Sequence, residues 1–307
     1  MLILEMMTMT SKAKKTSSKT PSVSMSVKQT NKTLDTLVED IYSVLQHCES
    51  ISDDLVKELV EDLTGVIKCR LTQPSHRRDT LSLSSIGKPL RKLWYDLKEP
   101  CEEQDEPPYK QLKFLYGDII ESLILWLAKV AGHTVTDRQK EVTHHGIKGH
   151  IDSIIDGEVV DAKSCSSRSY KKFEKGTLPE DDPFGYLPQI GSYDEETGKG
   201  HPGFLAVDKV TGEVCLYRPD PDFDLPDTEQ IIKNCKDALA KDTPPEQRCY
   251  HDEPMGKSGN RVLSKSCTFC PYKKRCWPGL RAFNYSSGTE YLTHVEKEPS
   301  VEEIKEF

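Results

Sequence analysis

The sequence predicts an α/β fold: a short central sheet flanked by helices, with a cysteine-rich clamp toward the C-terminus. Three observations predict it. Residues 150–163 and 203–217 each carry β-branched and aromatic runs around a Gly-containing turn, the pattern of paired short strands. Residues 109–132 carry apolar side chains at helical spacing. Cys267, Cys270 and Cys276 fall within ten positions beside Pro and basic residues, a spacing that lets thiolates grip one metal centre.

The elements follow in order. Residues 1–32 are rich in Ser, Thr and Lys with little apolar period, so a disordered tail is expected. Its brief apolar run is broken by Glu5 and has no basic leader, which argues against a signal peptide. Residues 33–80 form a helical segment, with helices over 34–48 and 53–71 and a polar, basic connector over 73–80. Residues 81–245 form the core, in which the acidic, Pro-rich stretches 99–108 and 219–226 are loops and 227–239 is a helix. A clamp over 246–285 and an acidic tail over 286–307 complete the chain.

The helix over 109–132 has one broad apolar stripe: Leu112, Leu115, Tyr116, Ile119, Ile120, Leu123, Ile124 and Leu127, with Gly132 as its stop. At about 100° per residue, Glu121 falls outside that stripe, with Phe114, Gly117, Leu125 and Ala128, while Asp118, Ser122 and Lys129 form a solvated strip. A carboxylate on such a small apolar face should protonate or find a cation.

The hairpin over 150–163 holds the main candidate site. Alternation puts Asp161 and Lys163 on one face with Ala162 opposite, and brings Asp152 close on the neighbouring strand. Two carboxylates and an ammonium are costly to bury together unless something cationic joins them. Oxygen-only ligands suit Mg²⁺ or Mn²⁺, and the lysine would orient a water or balance charge on a phosphate. The plainer alternative is a solvated hairpin with ordinary surface charges. Gln189 and Tyr193, four apart, share a helical face and can contact a nucleotide or orient a carboxylate. His144 and His145 are adjacent beside a turn, where strand residues face opposite ways, so they are read as surface.

The order of these pieces resembles the PD-(D/E)XK nucleases, and more narrowly their RecB-like branch, which includes lambda exonuclease and the CRISPR-associated RecB-like nucleases. The resemblance spans roughly residues 83–193 and implies a restriction-endonuclease-like core with a central mixed sheet. By that resemblance Glu121, Asp152, Asp161 and the Ala162 carbonyl would hold Mg²⁺ or Mn²⁺. Lys163 would be the catalytic lysine, with Gln189 and Tyr193 the branch-specific pair. Two departures stand out. Asp161 occupies a place where the branch often has Glu, and Gly117 one where several relatives carry a metal-ligating histidine. The implied activity is metal-dependent exonucleolytic hydrolysis of DNA, in recombination, repair or genome degradation, with a phage origin. DNA would be the partner, together with a recombination or single-strand-binding protein, in the cytoplasm (the host's, for a phage). A structure-specific endonuclease on the same core and a non-catalytic DNA-binding protein with a structural zinc or iron–sulfur site are the alternatives.

Net charge of −8 does not advertise nucleic-acid binding, but local basic patches exist. Arg91 lies in one; Arg168, Lys171 and Lys172 follow the catalytic lysine closely, and these four are the DNA-contact candidates. No run approaches the ~20 apolar residues of a membrane span. Repeats, a phosphate-cradling Gly loop and a nucleophilic serine motif are all absent.

Ten cysteines without a secretory signal do not suggest disulfides. RecB-like relatives complete an iron–sulfur cluster with three C-terminal cysteines and a distant one ahead of the core. In the matching stretch here, residues 85–95, Leu90 stands where that cysteine would be. Cys249 is the better fourth ligand, because residues 256–260 can loop back between it and Cys267; Cys101 is second choice. Cys249, Cys267, Cys270 and Cys276 would accept zinc or a 4Fe–4S cluster, both of which take four thiolates. Cys48, Cys69, Cys165, Cys215 and Cys235 are expected to be buried small hydrophobes.

Overall fold

The structure is a computed structural model that describes residues 32–72, 79–100 and 108–307. The expected tail as far as residue 31, connector residues 73–78 and loop residues 101–107, Cys101 included, lie outside them.

The expected N-terminal helical pair is α1 (Leu37–His47) and α2 (Asp53–Thr72), followed by α3 (Leu90–Lys98) and α4 (Pro108–Val130). Asp53 and Asp54 occupy the first turn of α2, where a helix favours negative charge. α2 lies along α4: Arg70 meets Asp118 at 2.5 Å and the Trp126 indole donates to the Leu55 carbonyl at 2.7 Å. This corrects the expected wheel. Asp118 and Lys129 face α2 rather than open solvent, Lys129 pairing with Glu58, and Ser122 is buried. Leu112, Tyr116 and Leu123, placed in the apolar stripe, are exposed. The reason is that burial on α4 is concentrated in residues 122–128, so apolar spacing over the first turns reports no core contact.

The core continues through β1 (Val135–Thr136), β2 (Lys140–His144), β3 (Ile147–Ile151), β4 (Ser153–Ile155), β5 (Glu158–Cys165), α5 (Ser167–Glu174), α6 (Tyr186–Thr197), β6 (Gly203–Asp208), β7 (Val214–Tyr217) and α7 (Thr228–Leu239). Its sheet runs β1-β4-β5-β6-β7; β5 and β6 are parallel and the other pairs antiparallel, so the sheet is mixed. β2 and β3 form a separate hairpin, which strand-like composition did not announce. The long central strand β5 is buried on both faces. Val160 and Ala162 pack with Ile124, Leu125 and Leu205 under α4, whereas Val159 and Cys165 pack with Phe173, Leu187 and Ile190 from α5 and α6. Helix–sheet–helix layering follows.

α6 runs through the polar stretch 194–197 that was expected to follow it, stopping at Gly198. Its start is tightly fixed. The Asp182 carboxylate accepts from the Tyr186 and Leu187 amides at 2.9 and 2.8 Å, satisfying donors that a helix end leaves open. Gly185 caps it at φ +75, and a Cβ there would run into the Gly87 backbone. Gly185→Ala should therefore cost about 2–4 kcal/mol, from left-handed strain plus overpacking. A chemical-denaturation midpoint equal to that of the unsubstituted protein would refute this contact.

Beyond α7 a second sheet gathers β8 (Glu253–Pro254), β9 (Arg261–Val262), β10 (Arg281–Tyr285), β11 (Gly288–His294) and β12 (Glu303–Ile304), in the order β12-β10-β11-β9-β8. Two short helices, α8 (Lys265–Thr268) and α9 (Lys273–Cys276), carry Cys267 and Cys276, with Cys270 between them and Cys249 ahead of β8. The boundary expected at 285/286 falls inside the β10–β11 hairpin, and the acidic tail returns as β12. Two of its acids are matched: Arg281 bonds Glu298 at 2.6 Å and Glu303 at 2.8 Å. Among the scattered cysteines, Cys165 and Cys235 are buried and Cys215 half-buried, but Cys48, just past α1, and Cys69, on α2, are exposed, against expectation.

Candidate active site

β4 and β5 pair with Ser153 opposite Val160, so Asp152, one step beyond the ladder, comes level with Asp161. Asp152 Oδ2 accepts from the Ala162 amide at 2.9 Å, which ties the end of β3 to β5. Asp161 and Lys163 share a face, as alternation requires, with Nζ 2.5 Å from Oδ2. From α6, Gln189 donates to Asp161 Oδ1 at 3.2 Å and to the Tyr193 hydroxyl at 3.3 Å. A Cβ on Gly149 would sit 2.8 Å from Tyr193 Cε1, so β3 needs glycine there for α6 to approach. Glu121 arrives from α4. Thus Glu121, Asp152, Asp161, Lys163, Gln189 and Tyr193 come together from four separate elements.

Two contributors were not found in the sequence. Gln139, in the β1–β2 turn, donates to Glu121 Oε1 at 2.6 Å and reaches Asp152 Oδ1 at 3.5 Å, bridging the two acids. Nothing in its neighbourhood marks it. Tyr186 places its ring 4.9 Å from the Lys163 ammonium; lying one helical turn before Gln189, it was findable by spacing.

Burial, then the charges of Asp161 and Glu121, hold the Asp152 carboxyl well above the usual carboxylate range. Burial also raises Glu121, with Asp161 adding to it and the Gln139 hydrogen bond opposing. Burial alone would lower Lys163, but Asp161 and Asp152 overcome it and the net shift is upward. Burial pushes the Tyr193 hydroxyl up to about 12. Three carboxylates face one ammonium, and Asp161, 1% exposed, has Oδ2 held by Lys163 and Oδ1 by Gln189. This gathering of acids, offering oxygens alone, fits a hard divalent cation such as Mg²⁺ or Mn²⁺. Glu121, Asp152, Gln189 and Tyr193 line a cleft of about 1170 Å³, flanked by Ser82, Arg138, Lys148 and His150.

A pH effect follows. Unfolded carboxyls ionise near pH 4, whereas folded Asp152 and Glu121 keep their protons to higher pH. In metal-free protein their contribution is therefore favourable at low pH and lost as pH rises through the raised values. A cation bound by the ionised acids reverses this. Mn²⁺ should raise Tm by several degrees more at pH 8 than at pH 5, at about 2–4 °C per kcal/mol. A shift independent of pH would show that the cation binds elsewhere.

The basic candidates divide. Arg91 is turned inward: its Nε donates to Cys276 Sγ at 3.4 Å, Nη1 bonds the Pro245 carbonyl, and Nη2 reaches the Tyr95 hydroxyl at 3.4 Å. Arg168 and Lys171 are exposed on α5, and Lys172 pairs with Asp181 at 2.6 Å.

The cysteine cluster packs on α3, where Trp94, Tyr95 and Tyr272 are buried with Cys270 and Cys276 against them. Cys249 also reaches α3, taking a hydrogen bond from the Lys92 backbone, two positions beyond Leu90. Burial raises Cys249 and Cys270 and pushes Cys267 up to about 12, and Cys267 feels the other three thiols electrostatically. Half-buried thiols gathered around Cys267 suit a cationic centre.

No protein-family model matches the sequence, and no curated protein matches it. Among solved structures, that of the protein SSO0001 superposes with a TM-score of 0.34 at 17% identity, over 62% of this chain and 88% of that one. The alkaline exonuclease LHK-Exo from Laribacter hongkongensis gives 0.29 at 14% identity, over 53% of this chain and 86% of that one. Superpositions this loose carry no argument about chemistry. Among the described residues, no helix is long and apolar enough to cross a membrane.

Proposed function

We propose that the chain is a Mg²⁺- or Mn²⁺-dependent deoxyribonuclease that hydrolyses phosphodiester bonds, acting from DNA ends. One observation carries this reading: Glu121, Asp152 and Asp161 converge with Lys163 beside a cleft, and the crowding that raises Asp152 and Glu121 is what a divalent cation would relieve. When bound, the cation would supply Lewis acidity at the scissile phosphate. The protein's own groups would do the rest. Asp152, Asp161, Glu121 and the Ala162 carbonyl would ligate. The Lys163 ammonium, held protonated between Asp161 and Asp152, would orient the attacking water and steady charge on the phosphate. Gln189 would hold Asp161 in register, with Tyr193 behind it. Arg168 and Lys171 would meet the DNA backbone.

The thiols of Cys249, Cys267, Cys270 and Cys276 would hold a structural metal group. A single zinc, with Zn–S near 2.3 Å in a tetrahedron, would draw the sulfurs to about 4 Å. A 4Fe–4S cluster would take the same four thiolates, with the sulfurs farther apart. Brown protein from anaerobic purification supports that cluster, and colourless protein with stoichiometric zinc rejects it.

The deciding experiment digests end-labelled linear duplex, closed circular duplex and single-stranded DNA with Mn²⁺. Loss of linear DNA with circles intact is expected. Cleavage of circles would make the protein an endonuclease, and untouched DNA throughout would end the nuclease reading.

A further inference from the structure

We propose that His144, His145 and Glu195 form a second metal site, for a divalent late transition ion, distinct in donor chemistry from the carboxylate cluster. One ligand atom from each lies within 4.8 Å of the other two. The expectation that the histidines diverge assumed an extended backbone. Instead β2 ends at His144, and His145-Gly146 make a two-residue turn at φ +46 and +76. That left-handed step swings the second ring back, and the rings meet edge to face at 4.3 Å.

His144 is buried, with Nε2 2.9 Å from the Thr228 hydroxyl and 3.1 Å from Glu195 Oε2; Nδ1 lies 3.5 Å from Glu196 Oε2. Thr228 in turn donates to Glu195 at 2.7 Å. The Lys236 ammonium bonds the His145 carbonyl at 2.8 Å, fixing the turn through its backbone. A second, independent feature asks for positive charge here. The last turn of α6 carries Asp194, Glu195 and Glu196 and no basic residue, at the end where the helix dipole disfavours anions.

Two imidazoles and a carboxylate suit Zn²⁺, Ni²⁺ or Cu²⁺, whereas all-oxygen sites suit Mg²⁺ and Mn²⁺. Bond lengths near 2.0–2.2 Å would need the exposed His145 and Glu195 side chains to draw in, leaving open positions for water. Glu195 lies about 200° round α6 from Tyr193, so an ion there would brace the helix from the side away from the acids. It would tie the β2–β3 hairpin to the helix that supplies Gln189. The site does not depend on the nuclease reading.

The test titrates Ni²⁺ into the full chain by calorimetry, with near-ultraviolet absorbance to detect thiolate binding. One equivalent should bind without thiolate charge-transfer bands, unchanged in Asp161→Asn. It should bind at least tenfold more weakly in both His145→Asn, which tolerates the left-handed turn, and Glu195→Gln. No binding up to about 1 mM, binding with thiolate bands, loss in Asp161→Asn, or unchanged affinity in either of the other two variants would overturn the site.

Discussion

Asp161→Asn and Lys163→Ala should each lower the rate of DNA cleavage at least about a thousandfold, equivalent to ~4 kcal/mol of barrier. Asp161 contacts both Lys163 and Gln189, so its loss would remove a proposed ligand and unfix the ammonium together. The fold should survive. Asp161 is among the charges that raise Asp152 and Glu121, so neutralising it relieves strain between acids. Lys163 keeps the attraction of Asp152, and Asn retains an oxygen for Gln189. Lys163→Ala is the harsher change, since it leaves three acids with no counter-charge; that variant should be less stable in EDTA and recover with Mn²⁺. Steady-state cleavage rates beside circular dichroism decide the matter. Substantial cleavage by either folded variant would remove these residues from the chemistry.

Cys270→Ser should lose the cysteine-bound metal and several kcal/mol of stability, because ligand loss forfeits metal-coupled folding energy, on the order of several kcal/mol for one ligand of four. The serine fills the space but offers no thiolate. The damage should spread to α3, since Trp94 and Tyr95 pack against this cluster and Tyr95 stacks on Tyr272 at 5.0 Å. Cys48→Ser, at an exposed position, should change neither Tm nor metal content. Elemental analysis and thermal unfolding check both variants. A Cys270→Ser protein of full stability and metal content would show that the thiols serve another purpose.

What could be read from the sequence was what depends on local period. Strand alternation was enough to put Asp161 beside Lys163, and the spacing of Gln189 and Tyr193 put them on one face of α6. The hairpin at Thr211-Gly212 and the helix over 227–239 follow from turn chemistry and apolar spacing in the same way. What failed depends on neighbours the period cannot see. The side of α4 that is buried is decided by where α2 and β5 lie, so Asp118 and Tyr116 exchanged their expected surroundings. Gln139 joins the acids because a turn delivers it. His144 and His145 converge because one residue adopts a left-handed conformation. The residues read only as an acidic tail form a strand, with Arg281 between Glu298 and Glu303.

The seat of the cysteine cluster on α3 has a consequence for synthesis. Trp94 and Tyr95 are made early, and the residues that cover them come nearly two hundred positions later. A product that stops short of Cys267 would present bare aromatic surface and invite aggregation. Solubility would thereby be coupled to the presence of the cysteine segment.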